Sequence, residues 1–444
     1  MPQNFLGCDR DQALLLAPSL RDWLDDDHLA WLVLDVIGEI DLTEFYGAYR
    51  ADGHGRAAHD PAMMVALLLY SYALGQRSSR AIERRCHEDV PTRVICANQA
   101  PDHTTIARFR ARHQDALAQT FTQVLALCAR AGLVSVGVVA LDGTAMAASA
   151  SPEATRSYPA IREEVDRMLS EAEQADAAED AEHGTARGDE LPAELADRRS
   201  RLERLRRCRQ ELEAEQAQVQ AAYEDNLVWR AEWEAEHGRR LGGRKPFPPD
   251  PDGLAKRSIN TTDSDSRKIV RTGRTAVQGY NAQAVATVGQ IILAADITQQ
   301  SNDSGQLEPM IGAAMRELQQ AGVQDRPETV LADGGYWNTA QITALGHQGL
   351  QVLVPTKSAV RTKARTLSPR QGPEARRIDK VLDTRDGQAL YRQRQHIIET
   401  VFARTKFLRG ITRFQRRGLD ACRAEWQLIA TGHNLLKLHT ALTR

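Results

Sequence analysis

Apolar positions recur with a helical period through the first 130 or so residues, and with a strand period in several later segments. Leu29, Leu32, Val33, Val36 and Ile37 fall on one helical stripe, and Asp25-Asp26-Asp27 ahead of them suits the positive end of a helix. Pro61 opens a second helix, Ala62 to Leu74, which Gly75 closes. Ser78 or Ser79 caps a short helix carrying Arg80, Arg84 and Arg85. Pro101-Asp102-His103-Thr104-Thr105 starts another, running through Ile106 and Phe109 to about Ala131, with Arg108, Arg110, Arg112 and His113 near its start. Short helices, tight joins and arginines at helix starts predict a helix-turn-helix-like DNA-binding unit. A generic helical domain with a solvated basic face would show the same pattern.

The period then changes. Ser135 to Leu141 is an apolar run ending in Asp142-Gly143. Residues 152–255 are rich in Glu, Ala, Arg and Gln and contain no convincing strand; Leu202, Leu205, Leu212, Val219 and Leu227 predict long amphipathic helices, a hairpin or coiled coil. Arg239 to Gly253 reads as a linker. Strand-like sequence resumes at Lys268 to Arg271, then Ala276 to Ala286, then Gln290 to Ile297, with Val288-Gly289 as a hairpin turn. Asn302 or Asp303 caps a helix through Leu307, Met310, Ile311, Met315 and Leu318. Val330, Leu331 and Ala332 form a strand ended by Asp333 and broken by Gly334-Gly335. A helix at 338–346 and a strand at Gln351 to Val354 follow, then a basic irregular stretch at 357–390. Tyr391 to Leu408 and Arg423 to Leu442 read as the last helices.

This order predicts an α/β ribonuclease-H-like catalytic core with an all-α N-terminal domain and an α-helical insertion. The expected division is a helical DNA-binding unit at 1–132, a first piece of the core at 133–151, the insertion at 152–255, and the rest of the core with the C-terminal helix at 256–444.

Composition adds limits. With 444 residues and 42% hydrophobic content, the chain is globular and long enough for two or three domains. No apolar run approaches the roughly 18 residues needed to cross a membrane. Nor does the N-terminus carry a basic region followed by an apolar segment, so no signal peptide is expected. Cys8, Cys86, Cys96, Cys128, Cys208 and Cys422 include no Cys-x-x-Cys pair, which fits thiols in a reducing cytoplasm. Net charge is only −2, but it is unevenly spread. Residues 1–150 hold 13 Lys and Arg against 18 Asp and Glu, residues 151–250 hold 16 against 24, and residues 251–444 hold 28 against 17. A basic C-terminal portion suits a phosphate-bearing partner.

Candidate chemistry rests on three acids. Asp142 and Asp333 each end an apolar run beside glycine, where α/β sheets place ligands. Either alone reads as an ordinary Asp-Gly turn. Together with Glu399 on a downstream helix they can converge on divalent metal, since Mg²⁺ favours carboxylate oxygens. Two such ions about 4 Å apart can activate an attacking oxygen and stabilise a leaving one. Arg392, Glu399 and Lys406 are seven residues apart and share a helical face, with Ile398, Val401, Phe402 and Thr405 on another.

At this point the sequence resembles the DDE-type transposases of bacterial insertion sequences, in the branch with a Tyr-Arg-Glu-Lys signature. The matching segments are Ala140-Leu-Asp142-Gly-Thr144, Val277-Gln-Gly-Tyr-Asn-Ala-Gln283, Ile297-Thr-Gln-Gln-Ser-Asn-Asp303, Leu331-Ala-Asp333-Gly-Gly-Tyr336 and Tyr391 to Lys406, with Pro101 to Arg110 in the preceding domain. The resemblance implies that Asp142, Asp333 and Glu399 are the catalytic, metal-binding triad, with Mg²⁺ as cofactor and Mn²⁺ able to substitute. Tyr391, Arg394 and Lys406 would lie near DNA phosphates. The family pattern leaves three residues between Arg and Glu and two between Tyr and Arg. Counted back from Glu399, those positions hold Gln395 and Arg392, so the choice between Arg392 and Arg394 stays open. The implied partners are double-stranded DNA, as transposon ends and as target, and a second copy of the chain in a homodimer. The implied location is the bacterial cytoplasm, at the nucleoid. A ribonuclease-H-like nuclease without strand transfer shares the same metal site. A DNA-binding regulator descended from a transposase is a further alternative, whose expected sign, loss of an acid, is not seen.

Overall fold

The computed structural model describes residues 20–49, 58–183, 193–242, 245–270, 276–356 and 372–443. Among these, the chain up to residue 130 is helical: α1 (Leu29–Glu39), α2 (Thr43–Gly47), α3 (Pro61–Ala73), α4 (Ser79–Glu88), α5 (Val90–Ile95), α6 (His103–Arg112) and α7 (Gln114–Arg130). Side-chain caps set several starts. Asp60 accepts from the Ala62 amide with Pro61 as the first helical residue, and Asp102 accepts from the Thr105 amide. α3 is buried on nearly every side, which explains why it is apolar all round. The single helix expected from 102 to 131 is two, broken at His113, whose buried ring packs against Phe45, Tyr49 and Phe109.

β1 (Val138–Ala147) then enters the main sheet. β2 (Thr155–Ser157) leads into α8 (Tyr158–His183) and α9 (Ala193–His237); a short α10 (Gly253–Lys256) and β3 (Ser258–Asn260) follow. β2 and β3 pair antiparallel; β2 falls inside 152–255, where no strand is expected, because three residues are too few to show a period of two. α8 and α9 share a small core of their own, including Ile161, Val165, Leu205 and Leu212. Val219 and Leu227, expected on the apolar seam, are instead exposed.

The chain returns to the main sheet through β4 (Arg267–Ile269), β5 (Val277–Thr287) and β6 (Ile292–Thr298). α11 (Leu307–Gln320), β7 (Thr329–Leu331), α12 (Thr339–His347) and β8 (Gln351–Leu353) come next. The described part of the stretch expected to be irregular, 357–390, is helical: α13 (Pro373–Leu382) and the start of α14 (Arg385–Arg394); residues 357–371 lie outside the described residues. The helix expected at 391–408 continues α14 through a π turn at Gln395–Glu399, α15 (Thr400–Ala403) and a second π turn at Arg404–Leu408. α16 (Leu419–Leu442) ends the fold.

The sheet has six strands in the order β4-β5-β1-β7-β8, with β6 also paired to β5. β1 is antiparallel to β5 and parallel to β7, and β7 is parallel to β8. This mixed sheet, flanked by helices, is the α/β core in its coarse form. α16 docks on it through directed contacts: Trp426 donates to the Gln283 carbonyl, and the Asn434 amide both accepts from and donates to the Ile292 backbone. A buried Arg77–Glu425 pair (2.5 Å) ties the chain just beyond α3 to the same helix. One contiguous apolar core therefore runs from the early helices through the sheet.

Candidate active site

Strand register explains why the two aspartates meet. In the parallel β1–β7 pair, Ala140 faces Leu331. Asp142 and Asp333 each lie two residues further on. Side chains alternate with a period of two along β1, so Asp142 leaves the face of Ala140, and Asp333, two residues past the last paired residue of β7, lies close enough for its charge to act on Asp142. Asp142 is still within β1, while Asp333 has left β7 and caps a turn at Gly334–Tyr336. Each is fixed by a nearby amide: Gly143 donates to Asp142 at 2.7 Å, and Gly335 donates to Asp333 at 2.8 Å. Burial, and then the Asp333 charge, push the Asp142 carboxyl up to about 6, although Arg394 and the Gly143 amide pull the other way.

Glu399 approaches from the opposite wall and is about half exposed, at 51%. Arg394 stands between the walls. Its guanidinium reaches Asp142 at 3.1 Å and Glu399 at 3.2 Å. Arg392, two residues earlier, is exposed. The π turn accounts for this choice. Two residues separate Tyr391 from Arg394, and four separate Arg394 from Glu399, one more than the family pattern described above. In a π turn the backbone pairs i with i+5, so the extra residue is absorbed and Arg394 stays on the face of Glu399. The regular seven-residue face of Arg392, Glu399 and Lys406 is lost in the process. Tyr391 is partly buried and donates to the carbonyl of Ala332, just before Asp333, at 3.3 Å. Lys406 donates to the Thr144 hydroxyl (2.6 Å) and the Ala145 carbonyl (2.7 Å), pinning the helix to β1.

Asp142, Glu399 and Lys406 border a cleft of about 1030 Å³. Asp142, Asp303 and Glu399 line it, and Val270, Phe402 and Phe407 give it an apolar side. From the sequence, Asp303 is one of two candidate helix caps. Its Oδ1 instead accepts from the Asn281 amide at 2.7 Å and the Gln283 amide at 2.8 Å. The nearest signal in the sequence is the alternation Asn281-Ala-Gln283, two polar side chains on one face of β5.

Among the described residues, no three His, Cys, Asp or Glu side chains stand as a ready metal-binding group. The chemistry of the donors still suits a hard divalent cation. All are carboxylates, the two strand acids repel each other, and the guanidinium of Arg394 already lies between Asp142 and Glu399 as a cation. Space is also kept for them. A Cβ on Gly143 would lie 2.7 Å from Asp303 Oδ1, and one on Gly335 would lie 2.8 Å from Asp333 Oδ1, so side chains there would crowd the acids. No helix among the described residues is long and apolar enough to cross a membrane.

Comparison with known families gives two matches. Residues 18–112 match the family described as Transposase domain (DUF772), and residues 252–435 match that described as Transposase DDE domain. No curated protein and no solved structure matches. The two family matches support a DDE transposase acting on DNA. The DDE match also implies a ribonuclease-H-like core, with which the mixed sheet is consistent.

Proposed function

We propose that this chain cuts the ends of an insertion sequence and joins them to target DNA, using Asp142, Asp333 and Glu399 to hold divalent cations, Mg²⁺ or in its place Mn²⁺. The observation that carries this reading is the parallel β1–β7 pairing, which brings Asp142 and Asp333, each two residues past the Ala140–Leu331 pair, near one another, with Glu399 across the cleft from Asp142. When bound, the cations would activate the attacking oxygen and stabilise the leaving one. The protein's own groups do the rest. The strand acids and Glu399 hold the cations, and the backbone amides of Gly143 and Gly335 keep the aspartates aimed. Arg394 pairs with Asp142 and Glu399 and would turn to a DNA phosphate once cations take its place, with Arg392 and Lys406 as further phosphate contacts. Tyr391 steadies the end of β7 beside Asp333. Water is the first nucleophile and the freed 3′ hydroxyl of the DNA is the second. In this reading the helices before β1 grip the transposon ends, and two copies act together, since two ends must be handled.

The test is an assay with labelled terminal-repeat DNA, an unlabelled target and Mn²⁺. Joined products are expected. Cleavage without joining would point to the ribonuclease-H-like nuclease, and neither product would overturn the enzymatic reading.

A further inference from the structure

The helix that carries Glu399 is not part of the sheet, so its far end needs another fastening. Arg409 follows directly on the second π turn, and its amide closes that turn on the Arg404 carbonyl at 3.0 Å. Its guanidinium reaches the early helices. Nη2 donates to the Tyr72 carbonyl at 2.6 Å and to the Ile429 carbonyl at 3.0 Å, and Nη1 donates to Ile429 at 3.1 Å. Tyr72 lies in the last turn of α3 and Ile429 within α16. The negative end of a helix dipole suits a cation there. Two glycines permit the close approach. Gly75 has a φ of +79°, and a Cβ on it would run into the Arg409 carbonyl oxygen. A Cβ on Gly432 would lie 2.8 Å from the Ala73 nitrogen.

Stability alone gives no reason for an arginine here. Its Nε is buried without a hydrogen-bond partner, and among the described residues no carboxylate pairs with the guanidinium. Burial, and then the Arg77 charge, pull its pKa down to about 9. A cation enclosed in this way costs free energy. Nor do the two carbonyls depend on it. Tyr72 already accepts from the Gly75 amide, and Ile429 sits inside α16, where carbonyls are paired along the helix. What the side chain supplies is a fixed join. Just beyond it, Thr412 and Phe414 bond to Ala147 at the end of β1, and the Gln415 and Arg416 amides donate to Glu425, the buried partner of Arg77. Residues 409–416 therefore link the early helices to the strand of Asp142 and the helix of Glu399. Building on the reading above, we infer that Arg409 is a positioning residue for the reaction: its fork fastens the end of the Glu399 helix to α3 and α16, and so sets where Glu399 stands across from Asp142.

The experiment is hydrogen exchange of the full chain, read without DNA or metal, beside melting temperature and Mn²⁺-dependent cleavage of terminal-repeat DNA. Arg409→Met keeps an apolar stem and removes the charge. Exchange over residues 395–408 should quicken about tenfold, the change expected when one charge-assisted hydrogen bond is lost. Exchange in β1 and β5 and the melting temperature should hold, because a costly buried charge has gone. Cleavage at saturating DNA should fall about tenfold, with DNA affinity within about twofold. A merely structural role would instead lower the melting temperature and quicken exchange throughout, and that result overturns the inference. Arg409→Lys keeps the charge without the fork, so it should fall between the Met variant and the unaltered chain in both exchange and cleavage. It also stands in should Arg409→Met fail to fold. Exchange over 395–408 within about twofold of the unaltered chain, in either folded variant, overturns the role of Arg409. If the unaltered chain cuts no DNA, the function proposed above fails, whereas the exchange measurement still decides whether Arg409 places the helix.

Discussion

The two walls of the cleft are supported in different ways. On the strand wall, a ladder of backbone hydrogen bonds shared by β1, β5, β7 and β8 holds Asp142 within β1 and sets the end of β7 just before Asp333, and each acid is locked by a neighbouring amide. On the helix wall, Glu399 ends a π turn, is half exposed and pairs with Arg394. Sheet register resists displacement, because shifting one residue moves every side chain to the opposite face. A helix with π turns has no such all-or-none constraint. The difference teaches that the strand wall fixes geometry, while the helix wall, with half-exposed Glu399 paired to Arg394, is the more adjustable side of the cleft.

The largest expected effect tests the strand wall. Asp142→Asn and Asp333→Asn should each lower Mn²⁺-dependent cleavage by more than the ~100-fold typical of groups that merely support a metal ligand. DNA binding measured without metal should be nearly unchanged. Two similar losses would sharpen the picture of a matched pair, and a tolerated change at either would break it.

A smaller effect is expected on the helix wall. Arg394→Gln removes charge-assisted bonds to Asp142 and Glu399, each worth roughly 1.5–3 kcal/mol at most in such settings. Cleavage should fall about tenfold, whereas Arg392→Gln, on the exposed face, should fall far less. Side-by-side rates decide it, and a larger loss at Arg392 would reverse the assignment made from the π turn.

Deleting Gln395 should have a smaller effect still. Gln395 is exposed, and removing it would leave Arg394 and Glu399 four apart, on one face of an ordinary α-helix. Melting temperature should rise or hold, and cleavage should stay within a few-fold. Loss of cleavage in a well-folded deletion would mean that the bulge itself is required.

The mildest prediction concerns pH. His433 is fully buried and donates to the Gln290 carbonyl, and the Gln290 side chain reaches the His396 carbonyl in the π turn. Burial lowers its pKa to about 3. An unfolded histidine protonates near ~6.5, so between those values the unfolded chain carries the extra proton. Stability present above pH ~6.5 should decline as pH falls towards 3. His433→Gln, which can still donate, should flatten that decline in a pH series of denaturant melts.

The strand wall was legible in the sequence because its signals are local: an apolar run, then Asp-Gly, twice. The helix wall was only half legible. The buried Ile398, Val401 and Phe402 follow helical spacing, but a π turn leaves no mark in periodicity, so Arg392 and Arg394 looked equivalent. Asp303 was hidden for a different reason. An acid before a helix looks like a cap, whereas α11 begins at Leu307 with Gln306 before it and no side-chain cap. What drew Asp303 away was pairing with β5, a contact across the fold that no local window contains.

The little β2–β3 ribbon has a consequence for how such chains can diversify. It clips together the outgoing and returning ends of the long helical hairpin just outside the main sheet. Beyond that clip the hairpin has its own small core, so its length and surface can be remodelled, or another module spliced in, while the acids stay where they are.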